Sequence, residues 1–239
     1  MSPVPQLMFP RSGHWFAALL AVAIFAFWPS YFGRLPGEPT PYMHVHATVM
    51  LAWMALLIAQ PMLIRARRPD LHRALGQAYY VLAPAAVASA VLLAHSRFAP
   101  MAAEEFARAA SFLYLPLAAT LLFALTSAFA IAWRKRPPIH ARFMLCTGLT
   151  LIDPVVARIL GLRFPPLPDD RLYPLIGYGL TELVLLALVV ADRHATRGRR
   201  VFPAMLALFA VVHLGFFTLA QAAAWARFAA WFRALPFTG

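Results

Sequence analysis

The sequence predicts an all-α, polytopic membrane helix bundle with about seven transmembrane helices, and three observations carry that prediction. Of the 239 residues, 62% are hydrophobic and 13% charged, against ~45–50% and ~25% in soluble domains. The mean hydropathy is +0.69, more apolar than a water-facing surface can cover. At ~20 apolar residues per crossing, the length accommodates about seven helices in a single integral membrane domain over 1–239. Soluble enzymes and disordered chains are excluded on the same composition.

Hydrophobic runs, read against their breakers, place the spans at about 14–32, 42–64, 75–95, 110–133, 141–161, 172–191 and 202–226. Span one has no small-residue cleavage site; Trp15, Phe16, Phe25, Phe27, Trp28, Tyr31 and Phe32 make it an aromatic-rich anchor rather than a signal peptide. Span two opens on Tyr42-Met43-His44-Val45-His46. Residues 44 and 46 are about 200° apart on a helix, so one of them points into the bundle. His46 is favoured, because Trp53 and Gln60 continue its face at seven-residue steps.

Spans three and five begin alike. Arg68-Pro69-Asp70-Leu71-His72 aligns with Arg136-Pro137-Pro138-Ile139-His140 at an offset of 68 residues. Proline is tolerated in a first helical turn, where its missing N–H has no intrahelical partner. The match predicts a helical-hairpin repeat, with His72 and His140 at equal depth on equivalent helices. Arg199-Arg200-Val201-Phe202-Pro203 is a fainter third echo. In span five, Asp153-Pro154 predicts a kink beside an intramembrane carboxylate. Beyond span seven, Arg227-Phe228-Ala229-Ala230-Trp231-Phe232-Arg233 reads as an interfacial helix.

The formal net charge is +12, and its distribution sets the orientation. Arg65, Arg67, Arg68 and Arg73 lie in the second connection; Arg134, Lys135, Arg136 and Arg142 in the fourth; Arg193, Arg197, Arg199 and Arg200 in the sixth. On the other side Arg34, Arg97, Arg108, Arg163 and Arg171 are balanced by Glu38, Glu104, Glu105, Asp169 and Asp170. The positive-inside rule then puts the N-terminus in the cytoplasm and the C-terminus outside, in a multi-pass protein of a bacterial inner membrane. Anionic lipid head groups, and not nucleic acid, are the partners this basicity predicts. The single cysteine, Cys146, excludes an intrachain disulfide framework and a CxxC metal knuckle.

Intramembrane charge marks function more often than surface charge does. Asp153 and Arg158 fall in span five, Glu182 in span six and His213 in span seven. At ~1.5 Å per residue, Asp153 and His213 lie about 17–18 Å from the arginine-rich end and Glu182 about 14 Å. The three share a layer if spans five, six and seven pack together. Arg158 lies about 25 Å in, near the depth of His44 and His46.

Several chemistries fit. His46, His213, Asp153 and Glu182 have the mixed nitrogen and oxygen donors of a transition-metal site. His46 and His213 could sandwich a haem iron, and His72 with His140 could do so, or meet a quinone, at the other face. Asp153, Glu182 and His213 could instead form a proton path. A network neutralised internally, Asp153 with Arg158 and Glu182 with His213, is the structural alternative. GxGxxG, Walker A, HExxH, GxSxG and CxxCH motifs do not occur. The methionines of span two read as packing, Gly177 and Gly215 as close-packing positions, and His95 and His194 as solvated span ends.

His44-Val45-His46, Leu71-His72-Arg73-Ala74-Leu75-Gly76 and His140-Ala141-Arg142-Phe143-Met144 resemble the H-x-H, L-H-R-x-L-G and H-x-R-h-M blocks of an uncharacterised family of bacterial seven-helix membrane proteins. That resemblance spans residues 44–160 and implies no established reaction. The His72-Arg73…Gly76 block is also similar to one in the membrane domains of ferric reductases and b-type cytochromes, which implies a haem b scaffold. Here no helix carries two histidines at internal spacing, so the resemblance extends to one haem at most. The leading expectation is a haem- or metal-binding redox protein or accessory subunit near the quinone pool. The alternative is a small proton-coupled transporter or a structural subunit of a larger membrane complex.

Overall fold

The structure, a computed structural model, describes residues 11–35, 37 and 39–238. Glu38, counted above among the balancing acids, lies outside them. Six helical stretches are long and apolar enough to cross a membrane: Pro41–Arg65, Pro69–Phe98, Ala103–Ala132, Pro137–Arg163, Leu172–Asp192 and Val201–Gln221. The seventh expected crossing, span one, is helix α1 (Ser12–Phe27), of 16 residues. At 1.5 Å per residue it reaches about 24 Å, short of the ~30 Å hydrocarbon core. It stops five residues before the predicted boundary. Pro29 brings no N–H to the next turn, and the Gly33 amide folds back onto the Trp28 carbonyl at 2.8 Å.

Helix α2 (Pro41–Arg65) starts on an N-cap: the Met43 amide donates to Thr40 Oγ1, and Pro41 occupies the first turn. It ends in a Schellman turn in which Arg67 takes φ 56° and the Arg68 amide donates to the Leu63 carbonyl at 2.9 Å. Span three follows as α3 (Pro69–Gly76) and α4 (Tyr79–Phe98). Span four runs from α5 (Ala103–Ala109) through a 3₁₀ turn into α6 (Tyr114–Ala132). It therefore begins seven residues earlier than the hydrophobic run suggested.

Span five is interrupted. Helix α7 (Pro137–Leu149) ends, and α8 (Ile152–Arg163) begins after Thr150 and Leu151. The break puts Pro154 in the first turn of α8, where its missing N–H removes no bond. Thr147 and Thr150 donate their hydroxyls to the Met144 and Thr147 carbonyls, each at 2.7 Å. Span six is α9 (Leu172–Asp192) and span seven α10 (Val201–Phe217). The last run does not continue to 226. At Thr218 it passes into a 3₁₀ turn, and α11 (Ala223–Arg233) starts after extended Ala222.

Helix α11 is a cap rather than a lone surface helix. Its Trp225 Nε1 donates to the Ala110 carbonyl at 2.9 Å, and Ala229 and Phe232 are buried with Ala94, Phe106 and Leu113. His95 is a correction to the solvated reading. It is 1% exposed, hydrogen-bonded to Thr238 Oγ1 at 2.7 Å, and packed between Phe232 and Phe237.

The helices close a ring. Helix α1 packs on α2, α2 on α4, α4 on α6, α6 on α10, α10 on α9, α9 on α8, and α8 back on α1. Helix α7 instead packs on α6, α10 and α2, so the arginine-rich half of span five sits within the ring while its other half joins the wall. Outward faces stay apolar: Val81, Leu183 and Val211 are 64–70% exposed, as hydrocarbon requires. The chain is a multi-pass membrane helical bundle.

The repeat blocks fold alike. Arg68 (φ −112°, ψ 64°) and Arg136 (φ −119°, ψ 85°) hold the same position before a helix-starting proline.

Candidate functional site

Because α7 fills the ring at the arginine-rich end and α8 swings into the wall, the far half of the ring encloses a cavity of about 740 Å³. Its walls are mainly apolar, with Met43, Met50 and Met54 of α2 prominent. Polar groups reach it from five helices: His46, Arg97, Asp153 and Arg158 of α8, Tyr178 and His213.

At the floor, His213 stands between two carboxylates. Its Nδ1 shares a 2.8 Å hydrogen bond with Glu182 Oε1, and its Nε2 lies 3.3 Å from Asp153 Oδ2. The second approach is an ion-pair distance without hydrogen-bond alignment. Thr181 donates to the other Asp153 oxygen at 2.5 Å. Tyr178 stacks on the imidazole, ring centroids 3.9 Å apart and 9° from parallel, and fixes its plane. Gly177 permits this: a Cβ there would stand 3.3 Å from the Asp153 backbone. Asp153 and His213 line the cavity and Glu182 lies behind them, its Oε2 buried without a hydrogen-bond partner.

Sequence depth thus anticipates the meeting of Asp153, Glu182 and His213, but the expected pairing of Asp153 with Arg158 does not form. Arg158 turns away, its guanidinium 4.4 Å from the centre of the Phe27 ring. His46 does face the cavity, with Nδ1 3.1 Å from Ser89 Oγ. Ser89 gives its own proton to the Ala86 carbonyl at 3.1 Å, so geometry assigns the His46 proton to Nδ1 and leaves Nε2 as an acceptor. His44 lies elsewhere, 3.1 Å from Tyr31 Oη. Trp53 is fully buried on the His46 face.

The proposed metal set does not converge. Among the described residues no group of three or more His, Cys, Asp or Glu is placed to hold a metal ion. Asp153 and Glu182 address opposite nitrogens of one ring and so share no vertex. Of the two ring nitrogens of His213, Nδ1 is taken by Glu182, and Nε2, without a hydrogen-bond partner, lies against Asp153. At the arginine-rich end His72 and His140 lie within electrostatic reach of each other. His140 Nδ1 is bonded to the Ala130 carbonyl at 2.8 Å, while His72 Nδ1 and Gln60 Nε2 are buried without partners. This pair is remote from the cavity.

Sequence reading missed two features. Arg142, assigned to a loop, is 1% exposed and makes a bidentate pair with Asp192, Nε to Oδ2 and Nη2 to Oδ1, both at 2.7 Å. It also donates to the Pro138 carbonyl. Its position after a helix start and an acid at the end of span six were the available signals. The second is the polar layer of Tyr79 and Ser127, which share a 2.8 Å bond in the core. Compared with protein-family models, curated proteins and solved structures, the chain matches none of them.

Proposed function

We propose that this protein binds a membrane-soluble small molecule in the cavity and couples it to proton transfer through Glu182, His213 and Asp153. The observation that carries the reading is the imidazole bracketed by two carboxylates beside an intramembrane cavity. An imidazole accepts a proton at one nitrogen and releases one at the other. With Glu182 on Nδ1 and Asp153 on Nε2, transfer across the ring moves a proton between the half-buried Glu182 carboxylate and the one lining the cavity. Intramembrane acids and histidines arranged this way mark proton relays. Thr181 holds Asp153 in place and Tyr178 keeps the ring plane fixed, so both nitrogens stay addressed. Haem chemistry at the cavity, which the sequence raised first, would rest on His46, and haem or quinone chemistry at the other face on His72 and His140.

The test is proton flux in liposomes loaded with a pH-sensitive dye. Wild-type protein is expected to collapse an imposed pH gradient, with Glu182→Gln and Asp153→Asn each slower by about tenfold or more. A wild-type rate equal to protein-free liposomes overturns the reading. A dithionite-reduced minus oxidised spectrum of the same preparation decides the redox alternative: a b-type α-band lost in His46→Ala would replace this reading by a haem protein.

A further inference from the structure

The cavity wall carries a cation with no counter-ion. Arg158 lies on α8, five residues from its end at the far side of the bundle. Its Nε is buried without a hydrogen-bond partner, and its guanidinium rests on the Phe27 ring. None of the ion pairs among the described residues includes Arg158 or Arg97. Arg97, exposed on α4, is near enough for the two like charges to repel, and His46 is within electrostatic reach as well. Arg97 and Arg158, from spans three and five, therefore place donors and positive charge on one side of the cavity. Between them and the His213 floor the lining is mainly methionine and other apolar side chains.

An uncompensated guanidinium in a membrane interior is costly, and such residues pair with an anion or mark a ligand path. The acid on the same helix, Asp153, is already taken by Thr181 and His213. An Arg fork is suited to a carboxylate or phosphate through parallel hydrogen bonds. We infer that the cavity takes a single-chain amphiphile with an anionic head, the head on Arg158 with Arg97 beside it and the chain in the methionine-lined interior. This inference rests on the reading of the cavity as a ligand site.

The experiment uses the full chain in detergent micelles and three fluorescent probes of equal chain length: a fatty acid, its alcohol and its phosphate monoester. The acid or the phosphate is expected to bind at least about tenfold tighter than the alcohol, and whichever binds tighter names the head group. Arg158→Met should bring anion binding down to the alcohol's level, and Arg158→Lys should restore part of it. An unfolding midpoint in detergent matching wild type reports that the variant is folded. Equal binding of alcohol and anions, or anion binding that survives Arg158→Met, overturns the inference. Loss of all probe binding with proton flux intact overturns it while leaving the proton-transfer reading standing. Absent flux with Arg158-dependent anion binding does the reverse.

Discussion

Arg142 and Asp192 hold two guanidinium nitrogens against two carboxylate oxygens with almost no exposure of either side chain. They tie the start of span five to the end of span six. Gly198, at φ 79°, lets the following loop pass over them; a Cβ there would stand 2.9 Å from Arg142 Nη1. Breaking such a pair leaves an uncompensated buried charge, so Asp192→Asn is expected to destabilise the fold by about 3–5 kcal/mol. The double replacement Arg142→Met, Asp192→Leu should recover most of that loss. Unfolding midpoints in detergent check both. Gly215 works sterically: a Cβ would stand 2.0 Å from Tyr114 Oη, which donates to the Val212 carbonyl at 2.8 Å. Gly215→Ala is expected to cost about 1–3 kcal/mol by displacing that tyrosine. Sequence spacing pointed to Gly215 as a packing position but gave no sign of what it packs against.

Among the elements, span five decides whether there is a cavity at all. Asp153-Pro154 was legible as a kink, and the break indeed falls just before it, at Thr150 and Leu151. What the motif did not say is where each half goes: α7 inward against α6, α10 and α2, α8 outward between α1 and α9. Pro154→Ala returns an amide proton able to bond the Thr150 carbonyl and join the two halves. The expected outcome is a straighter span five, weaker binding of the fluorescent fatty acid, and an unfolding midpoint no lower than that of wild type. Helix α1 depends on the same element, because a Cβ at Gly148 would lie 2.3 Å from the Phe16 ring. Gly148→Leu should detach α1 and expose the cavity wall, read as new protease sensitivity in the stretch before Pro41.

At the scale of the whole molecule, the alternation of basic and balanced connections predicts that the arginine-rich end faces the cytoplasm. In a Cys146→Ser background, single cysteines replacing Arg67, Lys135 or Arg199 should resist a membrane-impermeant maleimide added outside intact cells. Cysteines replacing Glu105 or Asp169 should react. The opposite pattern would invert the topology and put the cavity half of the bundle on the cytoplasmic side. Cys146 itself is fully buried, so its removal should leave labelling at the other sites unchanged.

The class, most span positions and the depth at which Asp153, Glu182 and His213 meet were legible in the order of residues. These follow from quantities that add residue by residue: apolar transfer energy, helical rise, and the positions of proline and charge. Tertiary structure decided who faces whom. It gave Arg142 to Asp192, His213 to both carboxylates, and left Arg158 without an acid. In a bilayer the surface facing lipid and the surface facing protein are alike in polarity, so the order of helices around the ring leaves little trace in the pattern of apolar residues. The ring closure by α8 on α1, and with it the cavity, exists only once the chain has folded.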